Sequence, residues 1–222
     1  MSDDLLSRKD IVGQLYAAVL SDVLDSLGRS HQAMQPFIRP LDDSRVLFGR
    51  ARTGIYRNVY HVPETGNPYE VEMALVDDLR AGDVAVLACG GPTDRIAPWG
   101  ELLTTAAVSR GAAGCVTDGL VRDVRRIRAM HFPVFAGGIG PLDTKGRAEM
   151  VAMDVPIKCG GVQIEPGDFV FGDIDGLVVI PRALAEATIE AALAKVASED
   201  ATRAALWEGK SLREVYTTFG VL

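Results

Sequence analysis

Cysteine and histidine are scarce in this chain. Cys89, Cys115 and Cys159 lie far apart with no C-x-x-C spacing, and His31, His61 and His131 stand alone, with no H-E-x-x-H pattern. These spacings argue against a zinc ribbon, a thioredoxin-type centre and a zinc protease helix. Three thiols in apolar or Gly-rich runs read as small buried hydrophobes, which fits a reducing cytoplasm. Positive charge is also in deficit, with 23 Lys+Arg against 30 Asp+Glu and a net charge of -7. Phosphate binding needs a basic surface, so nucleic acid is not expected as the main partner. The cluster of Arg125, Arg126 and Arg128 reads as a solvated helix face or a subunit contact. No apolar run approaches the roughly 20 residues of a membrane helix. The acidic start, Met1-Ser2-Asp3-Asp4, lacks the n-region of a signal peptide. No P-loop and no G-x-S-x-G elbow occurs, and Gly137-Gly138-Ile139-Gly140 lacks the dinucleotide spacing and runs into Pro141. Lys145 and Lys158 are the mid-chain candidates for a Schiff base, and both lie in polar settings that read as solvated.

What is present is an ordinary globular balance: 222 residues, 48% hydrophobic and 24% charged. Apolar periodicity predicts a helix over 7–27, stopped by Gly28. Residues 45–57 read as one or two strands, with Gly49 and Gly54 marking a bulge or a close approach. A loop with Pro63 follows over 58–67, then a helix over 68–79. Strand 84–88, helix 99–110, strand 114–117, helix 124–130 and strand 134–136 alternate as strand–helix–strand units. Their strands should be parallel. Asp118-Gly119 reads as a turn, and the glycines after 136 as a loop. Short strands over 155–164, 169–172 and 177–180 make a β-rich segment. Helices over 182–207 and 211–218 close the chain. The expected plan is a single α/β domain over 1–222, with 182–222 as a helical extension contacting a neighbouring subunit.

Chemistry concentrates in two places of the same design. Strand 84–88 leads to a helix opening with Gly100-Glu101-Leu102-Leu103, and strand 114–117 leads to a helix opening with Arg122-Asp123. Parallel neighbours would put both loops on one sheet edge, where open α/β sheets bind ligands. Free amides near Leu102 and Leu103 would form an anion site at a helix N-terminus. Arg122 supplies a planar fork for a carboxylate. Asp123, Asp118 and Glu101 supply hard oxygens for a divalent ion such as Mg²⁺, as ligands or as outer acceptors. The bland alternative is a surface ion pair with an Asp near a helix entrance. An anion site, an Arg and carboxylates suggest a small 2-oxo acid with Mg²⁺ or Mn²⁺, and enolate chemistry: retro-aldol cleavage or β-decarboxylation. Arg95, in the loop over 90–98, would bind a second carboxylate or be solvated, and Tyr60 and His61 lie in a loop that could reach a substrate.

A set of motifs in order carries a family resemblance. It comprises Trp99-Gly100-Glu101-Leu102-Leu103, Asp118-Gly119-Leu120-Val121-Arg122-Asp123, Phe132-Pro133-Val134-Phe135, Gly167-Asp168 and the run from Gly172 to Pro181. Over about 15–185 the chain resembles the 4-hydroxy-4-methyl-2-oxoglutarate / 4-carboxy-4-hydroxy-2-oxoadipate aldolases, whose superfamily includes the regulator of ribonuclease activity A. The resemblance implies a swivelling β/β/α fold, like a phosphohistidine domain, in homotrimers or homohexamers. It implies that Arg122 binds the pyruvoyl part together with the Leu102 and Leu103 amides. Asp123 would ligate the metal, and Glu101 would assist a proton-shuttling water. It implies that a tail glutamate from a neighbouring subunit holds a metal-bound water; Glu199 matches best, against the alternative of a solvated helix carboxylate. The implied function is metal-dependent cleavage of a 4-hydroxy-2-oxo diacid to pyruvate, with oxaloacetate decarboxylation as a side activity. The competing expectations are a lyase on another 2-oxo acid, a lysine-dependent aldolase, and a non-catalytic inhibitor of a ribonuclease.

Overall fold

The computed structural model describes residues 2–62 and 65–220; Pro63 of the expected loop and the last two residues of the expected tail lie outside the described residues. Three short helices open the chain: α1 (Ser2–Ser7), α2 (Lys9–Gln14) and α3 (Ala17–Ser26). The apolar period predicts one helix here, and tertiary contacts divide it. Leu15 and Tyr16 are extended, and Asp173 Oδ2 accepts from the Ala17 amide at 2.8 Å, capping α3 from across the fold.

The elements that follow are β1 (Arg39–Pro40), β2 (Leu47–Asn58), α4 (Glu70–Asp77), β3 (Asp83–Ala88), α5 (Glu101–Ser109), β4 (Gly114–Val121), α6 (Val124–Ala129) and β5 (Val134–Ile139). The β-rich part comprises β6 (Ala148–Met153), β7 (Ile157–Cys159), β8 (Val162–Ile164), β9 (Phe169–Asp173) and β10 (Gly176–Ile180). After a 3-10 turn come α7 (Ala185–Trp207) and α8 (Leu212–Phe219). The main sheet runs β1-β5-β4-β3-β2-β9-β10, with β6 also paired to β2. An isolated bridge between Ala33 and Val178 continues it past β10, so the mixed sheet is nearly closed.

The predicted parallel units are present, with β3–β4 and β4–β5 both parallel, and β2–β3 is a further parallel pair. β2 is one continuous strand of 12 residues with a register shift between Ile55 and Tyr56, next to Gly54. At Gly49 a Cβ would lie 2.5 Å from the Gly82 carbonyl oxygen, which is the close approach its sequence position suggests.

Two expected breaks are absent. Asp118-Gly119 does not end β4; the strand shifts register between Thr117 and Leu120 and continues to Val121. Leu120 and Val121 then pair with Gly138 and Ile139, so the expected glycine loop is the end of β5. A local turn signal lost to the pairing available across the sheet.

Helices α4, α5 and α6 cover one face over a cluster that includes Leu75, Leu87, Trp99, Ala107, Ile127 and Phe132. The N-terminal helices and α7 pack with Phe48, Phe169 and Phe171 in a second cluster. The β7–β8 hairpin closes a third, with Val86, Val116 and Phe135. Full burial of each such large side chain contributes about 1.5–3 kcal/mol before cavity and strain terms. All three cysteines are free thiols; Cys115 and Cys159 are buried among apolar groups.

Candidate active site

The carboxyl ends of β3, β4 and β5 open on one side of the sheet. There a cleft of about 390 Å³ is lined by Tyr69, Glu72 and Met73 of the α4 region, by Ala97 to Leu103, by Arg122 and Asp123, and by Asp143 and Thr144. A second hollow, of about 430 Å³, adjoins it at Arg122, Asp123, Val124, Ile139, Gly140 and Pro141. A larger one, of about 670 Å³, lies elsewhere, by Leu5, Glu165 and Arg182. Its Asp168 is already engaged by the amides of Glu165 and Arg182, both at 2.9 Å.

Two loops meet at Gly100. The Arg122 amide donates to the Trp99 carbonyl at 3.0 Å, and Trp99 and Val121 form a parallel bridge. Trp99 is itself fixed: its indole Nε1 donates to Thr104 Oγ1 at 2.8 Å, and its ring stacks on Phe132. Asp123 adopts a left-handed conformation with φ 58°, uncommon for a residue with a side chain. Its carboxylate does not cap its own helix α6. Oδ2 instead accepts from the Glu101 amide at 3.2 Å, at the N-terminus of α5. A Cβ on Gly100 would lie 2.8 Å from Asp123 Oδ2 and 3.1 Å from Arg122 Cγ, so only glycine leaves room for both side chains.

The guanidinium of Arg122 lies between two carboxylates. Its Nε is 3.8 Å from Asp123 Oδ2 and its NH1 is 3.3 Å from Asp143 Oδ1. Among the described residues none accepts a well-aligned hydrogen bond from it, so its fork remains open to a ligand. The amides of Leu102 and Leu103 belong to the first turn of α5 and have no intrahelical acceptor. Glu101 lines the same cleft, and its Oε1 accepts a long hydrogen bond from Thr105 at 3.4 Å.

Sequence reading missed two acids. Asp143 follows β5 in a segment with no motif, and its Oδ2 accepts from Tyr69 Oη at 2.5 Å. Desolvation, reinforced by that carboxylate, pushes the Tyr69 phenol up to about 12. Glu72 lies on α4, only 8% exposed. Its Oε2 accepts from Tyr56 Oη at 2.6 Å. Burial pushes its carboxyl up to about 7; Asp143 adds to the rise, while Tyr56 and Arg122 oppose it. A glutamate on an amphipathic helix normally faces water, so nothing local marks Glu72.

Other expected residues lie apart. Asp118 does not line the cleft. It is buried, and its two oxygens take the amides of Cys89 at 2.6 Å and Gly91 at 2.9 Å, which ties the loop after β3 to the β4 bulge. Burial raises its pKa against those hydrogen bonds. Glu199 lies on α7, where it accepts a hydrogen bond from Tyr16 Oη; within this one chain it does not approach the cleft. Arg95 is neither solvated nor free for a carboxylate. It donates to the carbonyls of Val59 at 2.7 Å and Arg147 at 3.1 Å and stacks over Tyr60. Lys145 and Lys158 are exposed, as their sequence context suggests.

A family model described as RraA-like (Aldolase/RraA) matches residues 17–179. The chain belongs to the RraA-like family. Within it, the chain is 33% identical over 187 residues to a Halalkalibacterium halodurans protein named "Putative 4-hydroxy-4-methyl-2-oxoglutarate aldolase", covering 84% of this chain and 82% of that one. The RraA-like fold is shared with an uncharacterized protein from Pseudomonas syringae pv. tomato at TM-score 0.80 and 30% identity, covering 93% and 94% of the two chains. It is also shared with Streptomyces coelicolor RraAS2, described as an unusual member of the RNase ES inhibitor RraA protein family, at TM-score 0.76 and 27% identity, covering 88% and 96%. The α/β architecture with its nearly closed mixed sheet is thus the RraA fold. Among the described residues no helix is long and apolar enough to cross a membrane.

Proposed function

We propose that this RraA-like protein is a divalent-metal-dependent lyase. It would cleave a 4-hydroxy-2-oxo diacid of the 4-hydroxy-4-methyl-2-oxoglutarate type to pyruvate, and decarboxylate oxaloacetate at the same site. The observation that carries the reading is the meeting of Arg122, Asp123 and the first turn of α5 at Gly100, in one cleft at the carboxyl ends of parallel strands. An unsaturated guanidinium fork beside two free amides suits the 1-carboxylate and the 2-oxo oxygen of a 2-oxo acid.

The donor set fits Mg²⁺ or Mn²⁺. Asp123 is half-exposed, and its Oδ1 has no hydrogen-bond partner among the described residues. The cleft presents carboxylates and neither His nor Cys, the hard-oxygen chemistry these ions favour. Among the described residues no three His, Cys, Asp or Glu side chains are grouped to hold a metal. That is compatible with an ion held mainly by Asp123, since Mg²⁺ commonly keeps several waters. When bound, the ion would polarise the 2-oxo group and offset the negative charge that develops as the bond to C3 breaks. Arg122 would anchor the carboxylate, the Leu102 and Leu103 amides would orient it, and Glu101 would hold a water that moves a proton. Glu199 would enter from a neighbouring subunit in a homotrimer or homohexamer, through the helical tail. A coupled lactate dehydrogenase assay with Mg²⁺ or Mn²⁺ tests the reading. Pyruvate should appear from the aldol substrate and from oxaloacetate, should stop with EDTA, and should not involve a borohydride-trapped lysine. No pyruvate from either compound would sink the reading.

One finding favours a second reading. The likeness to RraAS2 supports ribonuclease inhibition through an acidic surface. Titrating a purified RNase E-type enzyme decides it: inhibition that survives Arg122→Ala would mark binding independent of the cleft.

A further inference from the structure

We propose that Glu72 is the acid that delivers a proton to the substrate carbon in this cleft, and that Tyr56 is the residue that positions it. The inference rests on the lyase reading above and adds a catalytic group to it. Glu72 lines the cleft with Arg122 and Asp143 although it is almost wholly buried. Tyr56 Oη, reaching from β2 on the core side, holds Oε2 at 2.6 Å. Oε1 has no hydrogen-bond partner among the described residues, and it is not among the polar atoms sealed from solvent. One carboxyl oxygen is therefore clamped from the core, and the other opens on the cavity. A buried carboxyl is costly to retain for packing alone, because an apolar side chain would fill the place without a desolvation penalty.

Charged and titratable groups line the cleft wall with Glu72 or hold it from the core. They are Tyr56 on β2, Tyr69 at the start of α4, Asp143 after β5, Arg122 at the end of β4 and Glu101 on α5. Desolvation dominates this set and keeps the proton on Glu72 to about neutral pH, where a general acid is most useful. The water held at Glu101 takes the proton of the C4 hydroxyl, the C3–C4 bond breaks, and its electron pair passes into the 2-oxo group as the enolate of pyruvate. The Oε1 proton of Glu72 then adds to C3 and gives pyruvate, leaving Glu72 ionised. The proton on the water returns to Glu72 through solvent. Oxaloacetate decarboxylation breaks C3–C4 with loss of CO₂ and reaches the same enolate, so it needs the same acid and no base at C4.

The test is exchange of pyruvate methyl hydrogens with D₂O, followed by NMR in the metal-loaded protein, alongside both turnover reactions. Glu72→Gln keeps the size and the acceptor for Tyr56. It should slow exchange and both turnovers by about 100-fold or more, with oxalate affinity unchanged within about threefold. Exchange begins when ionised Glu72 takes a C3 proton, and Tyr56→Phe removes a hydrogen bond that favours the ionised form, so it should move the rise of exchange with pH to higher pH, a shift that a packing role would not give. Exchange within about twofold of the parent in Glu72→Gln overturns the role of Glu72 and leaves the lyase reading standing. Loss of aldol cleavage alone, with decarboxylation and exchange intact, also overturns it, since Glu72 would then serve as base. A parent protein that turns over neither substrate and exchanges nothing overturns the lyase reading itself, and this inference with it.

Discussion

Replacing Glu72 with Gln should change how the stability of the protein depends on pH. In the fold the Glu72 carboxyl is displaced from its ordinary 4.5 to about 7, with burial as the largest cause. The folded state therefore binds more protons than the unfolded chain between those values, and stability falls as pH rises. The contribution is fully present below about 4.5 and is lost as pH passes through about 7. At about 1.4 kcal/mol for each tenfold, the full swing is about 3 kcal/mol. Between pH 5 and 8 about 2–3 kcal/mol of it should appear, because the unfolded carboxyl is already partly ionised at the lower pH. Gln does not titrate and still accepts from Tyr56, so the variant should lack this component. Urea unfolding of parent and variant at both pH values, at one fixed protein concentration, isolates it as a double difference. The parent should lose about 2–3 kcal/mol more than Glu72→Gln on going from pH 5 to 8. Parallel losses, within about 0.5 kcal/mol, would show that Glu72 ionises as an ordinary surface carboxyl and that the burial argument is wrong.

Other substitutions separate the roles at the cleft. Arg122→Lys keeps the charge but removes the planar fork, so oxalate or pyruvate should bind about 10–100-fold more weakly by calorimetry, with Mn²⁺ affinity little changed. Asp123→Ala should do the reverse, weakening Mn²⁺ binding measured by EPR; metal affinity equal to the parent's would refute the assigned division of labour. Gly100→Ala places a Cβ 2.8 Å from Asp123 Oδ2. It should weaken both metal and oxalate binding, since the Asp123 carboxylate and the Arg122 side chain must shift to make room. Asp118→Ala leaves the Cys89 and Gly91 amides without their acceptor. A loss of about 1–3 kcal/mol in thermal or urea unfolding is expected, with activity changing less than for Arg122 or Asp123.

The sequence by itself determined most of the element plan and pointed to a candidate chemistry. Alternating apolar runs and helical periods are local signals, and they located β3, α5, β5, α6 and α7 to within a few residues. The residue types Arg122, Asp123, Gly100 and Glu101, with no Cys or His set to compete, pointed to oxygen ligands and an anionic substrate. Their convergence depended on β3 and β4 being parallel neighbours, which the strand–helix–strand spacing implied and the structure shows.

Tertiary structure alone decided what depends on partners distant in sequence. Asp118-Gly119 carries a turn signal, yet the pairing of Leu120 and Val121 with β5 carries the strand past it, and Asp118 faces the loop after β3 instead of the cleft. Within the helix predicted over 7–27, the break at Leu15 and Tyr16 lies where Asp173, far along the chain, caps α3. Asp143 and Glu72 belong to the cleft with no motif to announce them: one approaches Arg122, and the other is desolvated under the same wall. Burial, a borrowed hydrogen bond and the proton affinity they set are properties of the assembled environment, so no local pattern of residues could have carried them.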